Sequence, residues 1–169
     1  MVVGTDKGLA ALNVSELKML GRISAEDDMP RGSLSAADVD GDGSPEIVML
    51  TKRGRLALVN TSDGTVRWFV EGLTDAASAA FADVDADGVQ DVIVPGGPAF
   101  ALGFSGRDGK LVYKVEEGRP TDQKAGGAPR TLVVAPSPSG GGILVGSDPA
   151  RVSLRAVELP KGSVRAAAR

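Results

Sequence analysis

Two stretches of this chain carry acidic residues at the same spacing, 45 residues apart. Each has the pattern Asp-x-Asp-x-Asp-Gly-x-x-Asp/Glu. Carboxylates at positions 1, 3, 5 and 9 are the hard oxygen donors that Ca²⁺ prefers, and the glycine at position 6 permits a sharp turn. The sequence therefore predicts two calcium sites. Their candidate ligands are Asp38, Asp40, Asp42, Ser44 and Glu46 in loop 1 (residues 38–46) and Asp83, Asp85, Asp87, Val89 and Asp91 in loop 2 (residues 83–91), with Ser44 and Val89 offering backbone carbonyls.

The helix-loop-helix class of calcium site is excluded by the residues just after each loop. That class needs a bidentate Glu at position 12, where this chain has Met49 and Val94. Both loops are instead succeeded by short apolar runs, 47–50 and 92–94, with the length and composition of β-strands. Both loops are therefore predicted to connect strands.

Ordinary turn chemistry is the competing explanation of the loops, because Asp and Gly favour turns and satisfy their own backbone. Turn chemistry does not require four carboxylates at fixed offsets in two places. Four like charges within nine residues also repel one another unless a cation offsets them. We expect that cation to be Ca²⁺ with a structural role.

Composition limits the classes of function that remain. The chain has 169 residues, with 23 Gly, 10 Pro, no Cys and no His, which fits one turn-rich domain without disulfides and without the commonest general base. Eight of its 22 acidic residues lie in the two loops, so the negative charge is local. We expect no catalytic residues, no organic cofactor, no nucleic-acid partner, no membrane insertion and no export signal within this chain.

The loops belong to a longer unit that repeats at about 45 residues. In the first full copy, predicted strands cover 32–39, 46–52, 55–61 and 65–70, with Asp63-Gly64 as the last hairpin turn. The second copy has strands at 77–84, 91–95, 100–105 and 110–115, with Asp108-Gly109 as its turn. Val66, Trp68 and Val70 are predicted to share one strand face, as are Leu111, Tyr113 and Val115.

Two further units flank these copies. The segments 2–5, 9–14 and 18–23 resemble the last three strands of a unit, and 130–135, 142–146, 152–159 and 163–168 form a third copy. The loop of the third copy, 136–142, contains no carboxylate, so no metal is expected there. The connection 117–129 is longer than its counterpart 71–78.

Repeated four-stranded antiparallel units of this length predict an all-β fold, a β-propeller, in which each blade buries a face against the next. The predicted chain is a single propeller domain or segment of about four blades and fifteen strands. The approximate blades are 1–24, which is incomplete, 31–72, 77–117 and 130–169. We expect the ring to be completed by further blades or by a second protomer, and a four-bladed ring, which would need one extra strand in the first unit, stays open as an alternative.

Residues 37–48 and 82–93 resemble the calcium loops of FG-GAP repeats, which are related to VCBS-type bacterial repeats and to the head of integrin α subunits. The resemblance covers residues 31–116 best. It implies a seven-bladed propeller as the usual complete fold, Ca²⁺ in loops on one face, and placement outside the cell, at the cell surface or in the periplasm.

Residues 60–68 are also similar to the tryptophan-docking repeat of pyrroloquinoline quinone-type propellers. Trp68 and Tyr113 are nevertheless expected to pack between blades. Three functions therefore stay open: a non-catalytic calcium-binding module whose loops bind a protein or carbohydrate, a segment of a quinone-dependent dehydrogenase or polysaccharide-degrading enzyme, and a structural spacer. The absence of His, Cys and any nucleophile–base pair favours the first.

Overall fold

The computed structural model describes residues 2–5, 8–13, 18–24, 34–73, 76, 78–96, 99–115, 132–136, 142–148 and 153–159. In these ranges the secondary structure is antiparallel β-sheet, which confirms the predicted all-β class. Within them, no helix is long and apolar enough to cross a membrane.

Fourteen strands form four separate sheets among the described residues. In each sheet the strands pair in chain order, so every sheet is a simple meander. Sheet 1 contains β1 (Val2–Thr5), β2 (Gly8–Asn13) and β3 (Lys18–Ser24). Sheet 2 contains β4 (Ser35–Ala37), β5 (Glu46–Leu50), β6 (Leu56–Asn60) and β7 (Val66–Val70). Sheet 3 contains β8 (Ala80–Ala82), β9 (Asp91–Gly96), β10 (Ala99–Phe104) and β11 (Leu111–Val115). Sheet 4 contains β12 (Leu132–Pro136), β13 (Gly142–Asp148) and β14 (Ser153–Glu158).

The strands follow the predicted chain order, with three in sheet 1, four each in sheets 2 and 3, and three of the four strands predicted for the last unit in sheet 4. The predicted fifteenth strand, 163–168, and the long connection 117–129 lie outside the described residues, as does most of the carboxylate-free loop 136–142.

The opening strands of sheets 2 and 3 are shorter than predicted. The sequence pattern suggested eight residues for each, whereas β4 and β8 have three. Residues just before β8 bond outside their own sheet: the Leu132 N–H donates to Ser78 Oγ at 3.1 Å, and Ser35 Oγ donates to the Ala79 carbonyl at 3.2 Å. The Ala79 carbonyl is thus bonded to the neighbouring sheet just before β8 begins.

Both predicted Asp-Gly hairpin turns are present. Gly64 and Gly109 have φ of 75° and 73°, the left-handed conformation that glycine adopts without steric cost. The Asp63 carboxylate accepts the Thr65 N–H at 2.9 Å, and the Asp108 carboxylate accepts the Lys110 N–H at 3.1 Å. Each turn thus uses its aspartate to hold the backbone that enters the last strand.

A β-bulge breaks the alternation of the last strand in sheets 2 and 3. Leu58 pairs with Trp68 and Val59 with Val66, so Arg67 is the extra residue, and Val112 is its equivalent in β11. Val66 and Leu111, which were predicted to share one strand face with Trp68 and Tyr113 respectively, are accordingly 47% and 52% exposed. A bulge re-aims the side chain at the extra position, and Arg67 points to loop 1.

Apolar side chains of neighbouring sheets meet face to face. Val48, Leu58 and Trp68 of sheet 2 form one core with Val92 and Phe104 of sheet 3. On the opposite face of sheet 3, Ile93 and Ala101 form a second core with Leu132 and Leu144 of sheet 4. Burial of both faces of a sheet by its neighbours is the packing that blades of a propeller require.

Trp68 packs between blades, as the sequence predicted. It is 8% exposed, and its indole Nε1–H donates to the Gly106 carbonyl of sheet 3 at 3.0 Å. The ring also covers Gly109, where an added Cβ would lie 2.9 Å from it. The contact therefore buries the apolar ring and also gives its one polar atom a hydrogen-bond partner.

Candidate metal centre

Loops 1 and 2 connect the first and second strands of sheets 2 and 3, so they lie at equivalent corners of adjacent blades. The position-6 glycines, Gly43 and Gly88, have φ of 89° and 85°, which confirms the predicted sharp turn. Position 4 is also left-handed, with Gly41 at 83° and Ala86 at 62°. The two loops therefore share one backbone path despite their different residues.

The position-1 aspartates shape each loop. Asp38 accepts the N–H groups of Gly41 at 2.7 Å and Gly43 at 3.1 Å. Asp83 accepts those of Asp87 at 3.1 Å and Gly88 at 3.0 Å. Such bonds alone explain why Asp and Gly occur in a turn. A case for metal must therefore rest on where the other carboxylates point.

Three carboxylates converge in each loop. One oxygen from each of Asp38, Asp40 and Asp42 lies within 4.8 Å of the other two, and the same holds for Asp83, Asp85 and Asp91. Ca²⁺ binds oxygens at 2.3–2.6 Å, so oxygens that share one ion lie up to about 5 Å apart. The donor type and spacing therefore fit a calcium ion in both loops.

The two converging sets differ at one position. Loop 1 uses positions 1, 3 and 5, whereas loop 2 uses positions 1, 3 and 9. Asp87, at position 5 of loop 2, instead pairs through Oδ2 with Arg107 Nε at 2.7 Å. Glu46, at position 9 of loop 1, accepts the Val39 N–H through Oε2 at 2.9 Å.

The position-7 residues form hydrogen bonds within the loops through their backbone N–H groups. The Ser44 N–H donates to Asp42 at 2.7 Å, and the Val89 N–H donates to Asp87 at 2.8 Å. Ligation by their carbonyls stays a prediction.

Both position-9 carboxylates are buried and hold the loop backbone. Asp91, which has no exposed surface, accepts the Val84 N–H through Oδ2 at 2.8 Å and the Gly106 N–H through Oδ1 at 3.3 Å. Glu46 is 3% exposed and makes the equivalent bond to Val39. Position 9 thus closes the loop onto the following strand.

Two arginines that the sequence pattern did not reveal face the loops. Arg67 Nη1 lies 2.7 Å from Asp40 Oδ2 and 3.7 Å from Glu46 Oε1. Arg107 pairs with Asp87 and also donates to its carbonyl oxygen at 3.2 Å. These guanidinium groups hold the pKa of Asp40 and Asp87 below the ordinary value. Each loop therefore keeps part of its negative charge balanced by protein.

Burial, with the charges of Asp85 and Asp87 nearby, raises the pKa of Asp91 to about 6 even though two N–H groups favour its ionised form. A raised pKa means that the folded protein binds a proton more tightly than the unfolded chain does. In calcium-free protein this group contributes stability that is complete below pH 3.8 and is lost as the pH rises through 6. Two units of pKa correspond to about 3 kcal/mol.

We expect the Asp91 carboxyl carbon to titrate with a midpoint near 6 in an NMR experiment on calcium-free protein. The Asp91→Asn variant should lack the matching change in the free energy of unfolding between pH 4 and 7. Four other aspartates have lowered pKa values, so they change charge, and thereby stability, only at lower pH: Asp40, Asp63, Asp87 and Asp108. A midpoint below 4 would show that the two N–H bonds outweigh burial.

Fold and loops together define a run of β-propeller blades with acidic loops at one corner of two neighbouring blades. Residues 38–94 match the model of the FG-GAP-like repeat, which spans both loops. The FG-GAP resemblance is therefore confirmed over this segment.

Among solved structures, the chain is similar to the crystal structure of BamB from Moraxella catarrhalis, a β-propeller protein, with a TM-score of 0.57 and 19% sequence identity. The match covers 96% of this chain and 46% of that chain, so this chain spans about half the length of that relative. At this identity the likeness establishes the propeller fold alone. No curated protein matches the chain.

Proposed function

We propose that this chain is a non-catalytic, calcium-binding β-propeller module of an exported or cell-surface protein, and that its loops bind a protein or carbohydrate partner. The observation that carries the metal part is the convergence of three carboxylate oxygens in each loop within 4.8 Å. The FG-GAP-like repeat over residues 38–94 supports the same interpretation. Placement outside the cytoplasm is part of this proposal and comes from that resemblance.

The chain's own residues would position the ion rather than react with it. Asp38 and Asp83 fix each loop backbone, while Asp40 and Asp85 extend from position 3 toward the converging oxygens. Bound Ca²⁺ supplies charge neutralisation and cross-links the first and second strands of a blade. Among the described residues, the hydrogen-bond partners of the loop aspartates are backbone N–H groups and the side chains of Arg67 and Arg107. Neither kind of group acts as a general base.

The enzyme alternative gains no support from Trp68, which carries the quinone-type resemblance. Its ring and its Nε1–H are both used between sheets 2 and 3. Blade packing therefore explains this tryptophan without a cofactor. The absence of catalysis itself stays a proposal.

The face of sheet 4 that points away from sheet 3 carries an exposed apolar side chain. Val133 pairs with Val145 and is 57% exposed, while its neighbours Leu132 and Val134 pack toward sheet 3. The corresponding faces of sheets 2 and 3 are covered by the next sheet. That a further blade covers the Val133 face, from the same polypeptide or a second protomer, stays a prediction.

The metal assignment is tested by the Asp85→Asn variant. Asp85 accepts the Asp87 N–H at 3.2 Å, and an asparagine Oδ1 can still accept it, so the calcium-free melting temperature should change little. The substitution removes one charged ligand from loop 2. Isothermal titration calorimetry should therefore count one tightly bound calcium in the variant and two in the wild type.

Glu71→Gln is the matched control, since it removes the same charge from an exposed carboxylate that pairs with Arg55 away from the loops. The control should still bind two ions. If Asp85→Asn also binds two ions with unchanged affinity, Asp85 is not a ligand. If the wild type binds none, the metal part of the proposed function is wrong.

A further inference from the structure

The two acidic loops are joined directly across the boundary between blades. The Gln90 N–H of loop 2 donates to the Val39 carbonyl of loop 1 at 3.0 Å. Val39 lies between Asp38 and Asp40, and Gln90 lies between Val89 and Asp91. One backbone hydrogen bond thus connects residues that are adjacent to candidate ligands on both sides.

Val39 is held from both loops at once. Its N–H donates to Glu46 of its own loop at 2.9 Å, while its carbonyl accepts from loop 2. Its side chain has no exposed surface and packs in the core between sheets 2 and 3. A movement of Val39 therefore displaces a group in each loop.

A second path joins the same loops through β7 and the turn after β10. Arg67 pairs with Asp40 of loop 1 at 2.7 Å, and the next residue, Trp68, donates to the Gly106 carbonyl at 3.0 Å. The Gly106 N–H donates in turn to Asp91 of loop 2 at 3.3 Å. Gly106 is packed so closely that an added Cβ would lie 2.3 Å from Val39 Cγ1. The two paths meet where Val39 lies against Gly106. We use the name junction for four residues together: Val39, Trp68, Gln90 and Gly106.

We propose that the junction couples the two loops, so that calcium bound in one loop raises the affinity of the other. This inference rests on the proposed calcium-binding function. An ion in loop 1 restrains Asp38 and Asp40, and with them the Val39 peptide between these residues. Loop 2 then begins its own binding with Gln90 and Asp91 already restrained, so it loses less conformational entropy. The same reasoning applies in the other direction, because coupling between two binding sites is reciprocal.

Calcium titrations of single-loop variants measure the coupling. Asp42→Asn impairs loop 1 and leaves both loop 2 and the Arg67–Asp40 pair intact, whereas Asp85→Asn impairs loop 2 and leaves loop 1 intact. In each variant we expect the intact loop to bind Ca²⁺ about fivefold more weakly than in the wild type, with equal losses in the two variants. Wild-type protein should show a Hill coefficient above 1.

Trp68→Phe separates the junction from the ligands. It keeps an aromatic ring between the sheets and every carboxylate, but it removes the Nε1–H donor to Gly106. We expect two bound ions with a Hill coefficient reduced toward 1. Tyr113→Phe is the matched control, because Tyr113 occupies the equivalent position of the next blade, and it should leave the Hill coefficient unchanged.

The Gln90 amide provides a readout that does not depend on binding heats. In the Asp85→Asn variant, calcium that fills loop 1 alone should slow hydrogen exchange at Gln90 in loop 2. Coupling is overturned if two ions bind to the wild type while each single-loop variant keeps the wild-type affinity at its intact loop and Gln90 exchange is unaffected. A wild type that binds no calcium overturns both this inference and the proposed function.

Discussion

Saturating calcium is expected to raise the melting temperature of this protein by about 10 °C or more over the value in excess chelator. Ligand at 100 times its Kd stabilises the folded state by about 2.7 kcal/mol per site, and two sites double this amount. For a chain of this size, each kcal/mol shifts the Tm by roughly 2 to 4 °C. The expected effect is large because the proposed ions would bind only where folded loops bring three carboxylates together. Differential scanning calorimetry measures it.

The double variant Asp40→Asn/Asp85→Asn is the control for this effect. It replaces one charged ligand in each loop with a neutral amide oxygen, so calcium should raise its melting temperature much less than that of the wild type. Ionic strength must be matched in all samples, because general screening of the loop charges also changes stability. Equal calcium shifts in the wild type and the double variant would assign the effect to sites other than the two loops.

Gly106→Ala is expected to cost about 3 kcal/mol of unfolding free energy, at the upper end for overpacking. An added Cβ would lie 2.1 Å from the Gln90 carbonyl oxygen and 2.3 Å from Val39 Cγ1, distances that real Cβ atoms do not adopt. Backbone must therefore move where two blades and both loops meet. The hydrogen bonds from Trp68 to Gly106 and from Gly106 to Asp91 would be strained at the same time. Urea denaturation of calcium-free protein measures the loss.

Gly72→Ala is the matched control for that substitution. Gly72 has φ of 88°, and nothing lies within 4 Å of an added Cβ. Its cost is therefore the left-handed backbone conformation alone, about 1 to 2 kcal/mol. If Gly106→Ala costs no more than Gly72→Ala, the junction accommodates the methyl group and is looser than the structure indicates.

The backbone of the loops was predictable from the sequence because it depends on local chemistry. Aspartate at position 1 can accept amides a few residues later, and glycine at position 6 adopts positive φ, so residue type and spacing specify the turn. The strands after each loop were predictable from their apolar runs, and the last hairpins from Asp63-Gly64 and Asp108-Gly109. All of these features appear in the structure.

The arginines were missed because they do not repeat. Arg67 has Val112 as its equivalent, and Arg107 has Ser62, at the 45-residue offset. A comparison of repeats discards such residues as scattered charge. Each one nevertheless reaches its own loop by a different route, Arg67 through the bulge in β7 and Arg107 from the turn after β10.

The contacts between blades could not be predicted for a different reason. The bond from Gln90 to Val39 and the bond from Trp68 to Gly106 join residues 51 and 38 positions apart. They depend on how two sheets stack, which no local pattern encodes. The same holds for the buried position of Asp91 and hence for its raised pKa. Sequence spacing predicted a ligand there, whereas the packed sheets also make it a structural acceptor.

Anomalous diffraction from crystals grown with calcium is the most direct test that loops 1 and 2 hold metal ions. We expect two strong peaks, one among the carboxylates of Asp38, Asp40 and Asp42 and one among those of Asp83, Asp85 and Asp91. Anomalous maps without a peak at either loop would contradict the calcium assignment, and would leave Arg67 and Arg107 as the cations that balance these acidic turns.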